Sequence, residues 1–117
     1  AIVLDRRGKG DIVTSAWGEI PFCRREYGEF FERVAKEAGF SGWACTEGGS
    51  SDTRIWAEKG IQSVNLSVGY ENEHTESEGL DVHATYETYA LLKAFFQRRR
   101  ELVKVLRNLP RNANWAI

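Results

Sequence analysis

Three polar clusters in this 117-residue chain carry side chains that could do chemistry. Asp5 ends the apolar run Ile2, Val3, Leu4. The stretch Gly48-Gly49-Ser50-Ser51-Asp52 follows a second short apolar segment, and Glu71-Asn72-Glu73-His74-Thr75-Glu76-Ser77-Glu78 follows a third. Imidazole and carboxylate are good donors to zinc and similar ions, so a fold that draws these clusters together would make a metal or acid/base site. Taken singly, each cluster has a plainer reading. A strand-end Asp caps a turn, and a His in an acidic loop is solvated. The Gly-Ser stretch lacks the Lys of a phosphate-binding loop and caps a helix.

The elements that would position these clusters follow from spacing. Residues 2–4 are too short and apolar for a helix and predict a buried strand that delivers Asp5 at its end. Gly8 and Gly10 mark a turn before a second strand at 11–15, and Pro21 places 16–25 in a loop. Tyr27, Phe30, Phe31, Val34, Ala35 and Ala38 recur at helical spacing, so 27–38 is a helix with one apolar face, stopped by Gly39. A strand at 43–46, a short helix at 53–59 and a β-rich strand at 61–68 follow. A polar loop spans 69–79. With Asp81 as N-cap, the chain then reads helical to about Leu109, where Pro110 forbids simple continuation. This order predicts an α/β domain, three-layer αβα, with helices packed on a mainly parallel sheet. In such sheets ligands gather beyond the C-terminal ends of the strands, where the three clusters fall.

Composition narrows the function classes. Hydrophobic residues make up 42% and aromatics 12%, enough for a packed core and too many for a disordered chain. Sixteen Lys+Arg against seventeen Asp+Glu give a net charge of −1, which argues against a nucleic-acid or anionic-membrane surface. The run Arg98-Arg99-Arg100, with Lys104, Arg107 and Arg111 beyond, reads as a solvated helix face. No apolar run approaches the ~18–20 residues of a membrane span, and no export signal opens the chain, so a cytoplasmic location is expected. Cys23 and Cys45 are too far apart for a CxxC motif and read as reduced thiols, with a single disulfide as the alternative.

The combination resembles a family. An apolar strand ending Leu4-Asp5, the Gly48–Asp52 stretch, a helix reaching Gly60-Ile61, a β-strand to Gly69-Tyr70, and His74 with Glu78 four residues later look like the C-terminal portion of the co-catalytic zinc exopeptidases. These are aminopeptidases, tripeptidases and related hydrolases with a phosphorylase/hydrolase-like α/β core. The likeness covers about residues 1–97, with 98–117 as a helix extension and tail. It implies that Asp5 is a terminal ligand of one metal ion and His74 a terminal ligand of the other. It also implies that Asp52 and Glu78 support the site and that Tyr70 lines the substrate pocket. Two zinc ions, with cobalt or manganese as substitutes, would activate a bridging water against the peptide bond while a Glu moves the proton.

The family also needs an upstream His-x-Asp strand, a bridging Asp and an adjacent Glu-Glu pair, and these would precede Ala1. The expectation is therefore a C-terminal fragment of a di-metal aminopeptidase, inactive alone, acting in its parent on peptide substrates. The alternative is a non-catalytic peptidase-like α/β interaction or oligomerisation module. Leu92, Phe95, Leu102, Leu106 and Leu109 recur near a/d spacing on a final helix of about 24 residues, about 36 Å long at about 1.5 Å per residue. Its second half would pack on a partner chain or on a missing part of the same protein, or else on the core. A homo-oligomer would also cover a sheet edge left by missing strands.

Overall fold

The computed structural model of the chain describes residues 1–72 and 74–109. The elements run β1 (Ile2–Arg7), β2 (Asp11–Ala16), β3 (Ile20–Pro21), α1 (Arg25–Glu37), β4 (Ala44–Gly48), α2 (Thr53–Glu58), β5 (Val64–Glu71), β6 (Gly79–Leu80), α3 (Val82–Gln97) and α4 (Arg99–Asn108). The strands form one open mixed sheet with β5 and β2 at its centre. Strand β5 is flanked by β1 and β2, and β4 lines the far side of β2. The short β3 and β6 extend β2 and β5 as antiparallel hairpin partners.

The expectation of a mainly parallel sheet is corrected here. Strand β1 pairs with β5 and β2 with β4 in parallel, but the β2–β5, β2–β3 and β5–β6 pairings are antiparallel. The cause is local. The three residues 8–10 reverse the chain between β1 and β2 around the end of β5, with Gly8 N–H donating to Tyr70 O and Gly69 N–H to Gly8 O. So tight a turn cannot return the chain in the same direction, since parallel neighbours need a long crossover.

One face of the sheet carries the main core. Tyr27, Phe30, Phe31, Val34 and Ala35 of α1 bury their apolar stripe against Ile12, Val64 and Leu66, and Leu91 and Phe95 of α3 close the cluster. Phe31 and Phe95 stack with ring centroids 4.1 Å apart. The opposite face holds a smaller cluster of Val13, Ala16, Phe22 and Ala57, the last from α2. Period-2 alternation sends Ile12 to one face and Val13 to the other.

Helix α3 starts as expected, with Asp81 Oδ1 accepting from Ala84 N–H at 3.1 Å. It does not run on to residue 109. At Arg98 the backbone leaves helical geometry (φ −102°, ψ 31°) and α4 folds back along α1. A straight helix would carry Leu102 and Val105 into water; the break packs both against the core. Arg33 pairs with Glu101 at 3.0 Å, and Arg98 hydrogen-bonds Glu37, whose carboxyl that bond holds below its ordinary pKa. The expected loop at 16–25 contains β3, and the expected strand at 61–68 begins at Val64 and continues to Glu71. The residues Glu73, Pro110 and Arg111 lie outside the described set. Among the described residues no helix is long and apolar enough to cross a membrane.

Candidate functional site

The site is built on β5. Its alternation of apolar and polar residues sends Val64 and Leu66 to the core and turns Asn65 and Ser67 to the opposite face, where both are buried. Buried polar groups need partners. Here the partners are backbone groups of β1 and of the first residue of β2. Asn65 Oδ1 accepts from Asp5 N–H at 3.2 Å. Ser67 Oγ donates to Arg7 O at 2.9 Å and accepts from Asp11 N–H at 3.1 Å. These bonds occur where the β1–β5 register slips, between Val3 and Arg6 and again between Arg6 and Arg7. In a regular strand Asp5 and Arg6 would face opposite ways. The slip lets both line one cleft, which is how such irregularities re-aim side chains.

The second slip leaves Val68 and Gly69 without β1 partners, and α3 uses what is freed. Thr88 Oγ1 donates to Ser67 O at 2.7 Å, and Thr85 Oγ1 donates to Val68 O at 2.6 Å. Asp81 N–H donates to Gly69 O at 2.7 Å. Gly69 itself has φ +99°, and a Cβ there would sit 2.6 Å from Asp81 O. Only glycine meets both conditions. This contact fixes the start of the loop that carries His74.

That loop is stapled by its own bonds. Thr75 Oγ1 donates to Asn72 O at 2.6 Å and accepts from Ser77 N–H at 3.2 Å. Glu78 Oε1 accepts from His74 N–H at 3.4 Å. His74 lies at φ 63° and Asn72 at φ 53°. Asn and His are among the non-glycine residues that enter the left-handed region most readily.

The resulting cleft, about 350 Å³, is lined by Asp5, Arg6, Val13, Gly49, Ser50, Asn65, Tyr70, His74 and Glu78. It brings Asp5 of β1 beside Tyr70, His74 and Glu78, which follow one another at the end of β5 and in the next loop. Asp52 is not among its lining residues: it stands exposed at the N-cap of α2 and makes no side-chain cap bond. Ser51 does the local work, its Oγ donating to Thr53 Oγ1 at 2.6 Å and accepting from Thr53 N–H at 3.1 Å. The cleft crosses a sheet face and does not sit beyond one strand-end edge. Strand β4 runs opposite to β5, so Gly49 and Ser50 enter from the end away from Tyr70.

Sequence reasoning missed Arg6, Asn65 and Ser67, whereas Ser50 belongs to the Gly48–Asp52 cluster it had singled out. Arg6 crosses the cleft wall to pair with Asp11 through Nε at 3.0 Å. A signal for Asn65 and Ser67 was present: polar residues interleaved with Val64, Leu66 and Val68 in a central strand must find buried partners. Among the described residues no three His, Cys, Asp or Glu side chains group closely enough to hold a metal ion by themselves. The thiols stand apart from the cleft and are free; burial pushes both Cys23 and Cys45 up to about 12.

Comparison with known proteins adds little to this geometry. No family model matches the chain, and no solved structure matches it. The chain is similar to the uncharacterised protein YqjE of Bacillus subtilis (strain 168), 33% identical over 69 residues. That match covers 59% of this chain and only 19% of the relative. The chain thus spans about a fifth of the curated relative's length.

Proposed function

We propose that this chain is part of the catalytic domain of a two-zinc aminopeptidase, in which Asp5 and His74 are terminal ligands of the two ions. The observation that carries the reading is the shared cleft. Asp5 on β1, Tyr70 on β5 and His74 and Glu78 on the following loop, singled out by their resemblance to one family, line the same 350 Å³ depression. The donor set suits that role and no larger one. One carboxylate and one imidazole are good zinc donors, but two donors leave a divalent ion largely hydrated. The remaining donors and the proton-transferring Glu belong to another part of the parent protein.

Zinc, or cobalt or manganese in its place, would supply polarisation of the scissile carbonyl and a water acidic enough to attack at neutral pH. The residues of this chain do the positioning. Asn65 fixes the Asp5 backbone, and Glu78 accepts from the His74 backbone, so the two chain positions that carry the donors are held at the cleft. Tyr70 at the cleft wall offers an aromatic face and a hydroxyl to a peptide. The mixed sheet, with α1 and α3 on one face and α2 on the other, is read as the corresponding part of a three-layer αβα, phosphorylase/hydrolase-like core. The setting is cytoplasmic, with peptides as substrate and neither nucleic acid nor membrane as partner.

The test uses the full-length parent protein. Zinc content and leucyl-amide hydrolysis are measured for wild type, Asp5→Ala and His74→Ala. Each variant is expected to lose zinc and to fall at least 100-fold in kcat/KM. Wild-type activity and zinc content in His74→Ala would remove His74 from the site, and a parent without upstream His-x-Asp and Glu-Glu elements would overturn the enzyme reading.

A further inference from the structure

Arg6 is the only Lys or Arg among the residues lining the cleft, and its side chain is just 19% exposed. A guanidinium so far from water needs acceptors for its five N–H donors. Asp11 takes one, its Oδ2 accepting from Nε at 3.0 Å, and no other hydrogen bond reaches Arg6 among the described residues. Asp11 is itself held, since its N–H donates to Ser67 Oγ at 3.1 Å. It lines the neighbouring depression with Lys9 and Asn72 and is not among the residues of this cleft. The ion pair therefore fixes the Nε edge of the guanidinium and leaves the terminal nitrogens unspent.

Those nitrogens reach the chain where β4 ends. A Cβ at Gly48 would stand 3.3 Å from Arg6 Nη1 and 2.7 Å from Val13 Cγ1, and the glycine leaves the guanidinium its place against this backbone. The next two residues, Gly49 and Ser50, line the same cleft, and the Ser50 hydroxyl makes no hydrogen bond among the described residues. A fixed guanidinium and a free hydroxyl thus meet at one corner, which is the donor arrangement that an anion needs. Asp5 and Glu78 line the cleft as well and oppose an anion of higher charge. With one guanidinium against two carboxylates, the fit is to a singly charged, planar group. A carboxylate takes two parallel N–H bonds from an Arg fork, and the hydroxyl adds a third.

We propose that Arg6 and Ser50 bind a carboxylate, and that in the parent protein this is the free C-terminal carboxylate of a dipeptide substrate. Arg6 follows Asp5 in the chain and shares with it and His74 a cleft of about 350 Å³. That is near the small end of ligand pockets, which run from ~300 to ~1,000 Å³. A peptide held by its carboxylate at this corner and cleaved beside Asp5 and His74 has room for little chain between the two points. The substrate role rests on the peptidase reading; carboxylate binding at Arg6 does not. A charge-assisted pair of this kind is worth on the order of 10–100-fold in binding.

Two experiments test this. N-acetylglycine titrated into the isotopically labelled 117-residue chain, with no metal added, is expected to shift the Arg6 Nε–H and Ser50 amide resonances. N-acetylglycinamide, which lacks the charge, leaves them in place, and inorganic phosphate shifts them less. The response vanishes in Arg6→Gln and weakens about threefold in Ser50→Ala. The second variant removes a hydroxyl that the fold does not use, so it reads binding without a folding defect. An equal response to N-acetylglycinamide, a larger one to phosphate, or a wild-type response in Arg6→Gln would overturn the site. In the full-length parent, kcat/KM is compared for leucyl-glycine and leucyl-glycinamide. The free acid is expected to be preferred at least tenfold, and Arg6→Gln to abolish that preference. Equal rates on both peptides in wild type, or an unchanged ratio in Arg6→Gln, would overturn the substrate role. A parent inactive on both peptides counts against the peptidase reading, and the titration of the chain then decides the site by itself.

Discussion

Replacing Gly69 by Ala tests whether the α3 N-terminus and the His74 loop are held by one close contact. Two costs add at this position. At φ +99° an L-residue is strained, by about 1–2 kcal/mol. The new Cβ would also stand 2.6 Å from Asp81 O and 3.1 Å from Ala84 Cβ. The first obstacle is backbone, so relief requires α3 to lift, which breaks the 2.7 Å bond from Asp81 N–H to Gly69 O. A lost buried bond costs about another 1–2 kcal/mol, giving about 3 kcal/mol in all. For a domain of this size that is a fall in Tm of roughly 12–20 °C. Gly39→Ala is the internal control. Its φ is +89°, but nothing lies within 4 Å of its Cβ position, so it carries strain alone, about 1–2 kcal/mol. Urea denaturation of both variants measures the difference. A Gly69→Ala cost within about 0.5 kcal/mol of the Gly39→Ala cost would refute the close-contact account. Amide spectra of Gly69→Ala should show residues 70–78 perturbed; an unchanged loop would refute the link to His74.

Other outcomes follow from the core. Phe95→Ala removes the stack on Phe31 and the edge contact with Phe30, and should cost about 3–5 kcal/mol by denaturant titration. Thr88→Val keeps shape but leaves Ser67 O without its donor, so it should cost about 1–3 kcal/mol, while Thr88→Ser should recover most of the bond. The two thiols, raised from 9.0 to about 12 by burial, stay protonated in the folded chain after they would ionise in the unfolded one. The unfolded state then binds fewer protons, so stability falls as pH rises from 9 towards 12. Tyr27, also raised by burial, adds to the same slope. At pH 8 buried Cys23 should accordingly react with a thiol reagent only as fast as the chain opens, whereas half-buried Cys45 should react slowly from the folded state.

How much of this was legible depends on whether the cause is local. The α1 stripe from Tyr27 to Ala35 and the Asp81 cap were readable, because periodicity and capping act within one or two turns. The direction of β4, the insertion of β5 between β1 and β2, and the turn-back at Arg98 depend on contacts between segments tens of residues apart. Arg33 with Glu101 and Arg98 with Glu37 leave no mark in either segment alone. At the candidate site the ionisable side chains could be named from type and spacing with a family in view. The groups that aim them, Asn65 and Ser67, answer to a register slip that no residue in β1 announces. Asp52 illustrates the reverse: a residue selected by resemblance stands at a helix cap, away from the cleft lining.

Asp5 and His74 are proposed to act at one place. Titrating zinc into the isotopically labelled 117-residue chain and following its amide and imidazole resonances tests that directly. Weak binding, in the millimolar range expected for two donors, should shift Asp5, Tyr70, His74 and Glu78 together, with one shared binding curve, and the shifts should vanish in His74→Ala. Separate curves for Asp5 and His74, or a response at the exposed His83 with none at Asp5, would contradict it.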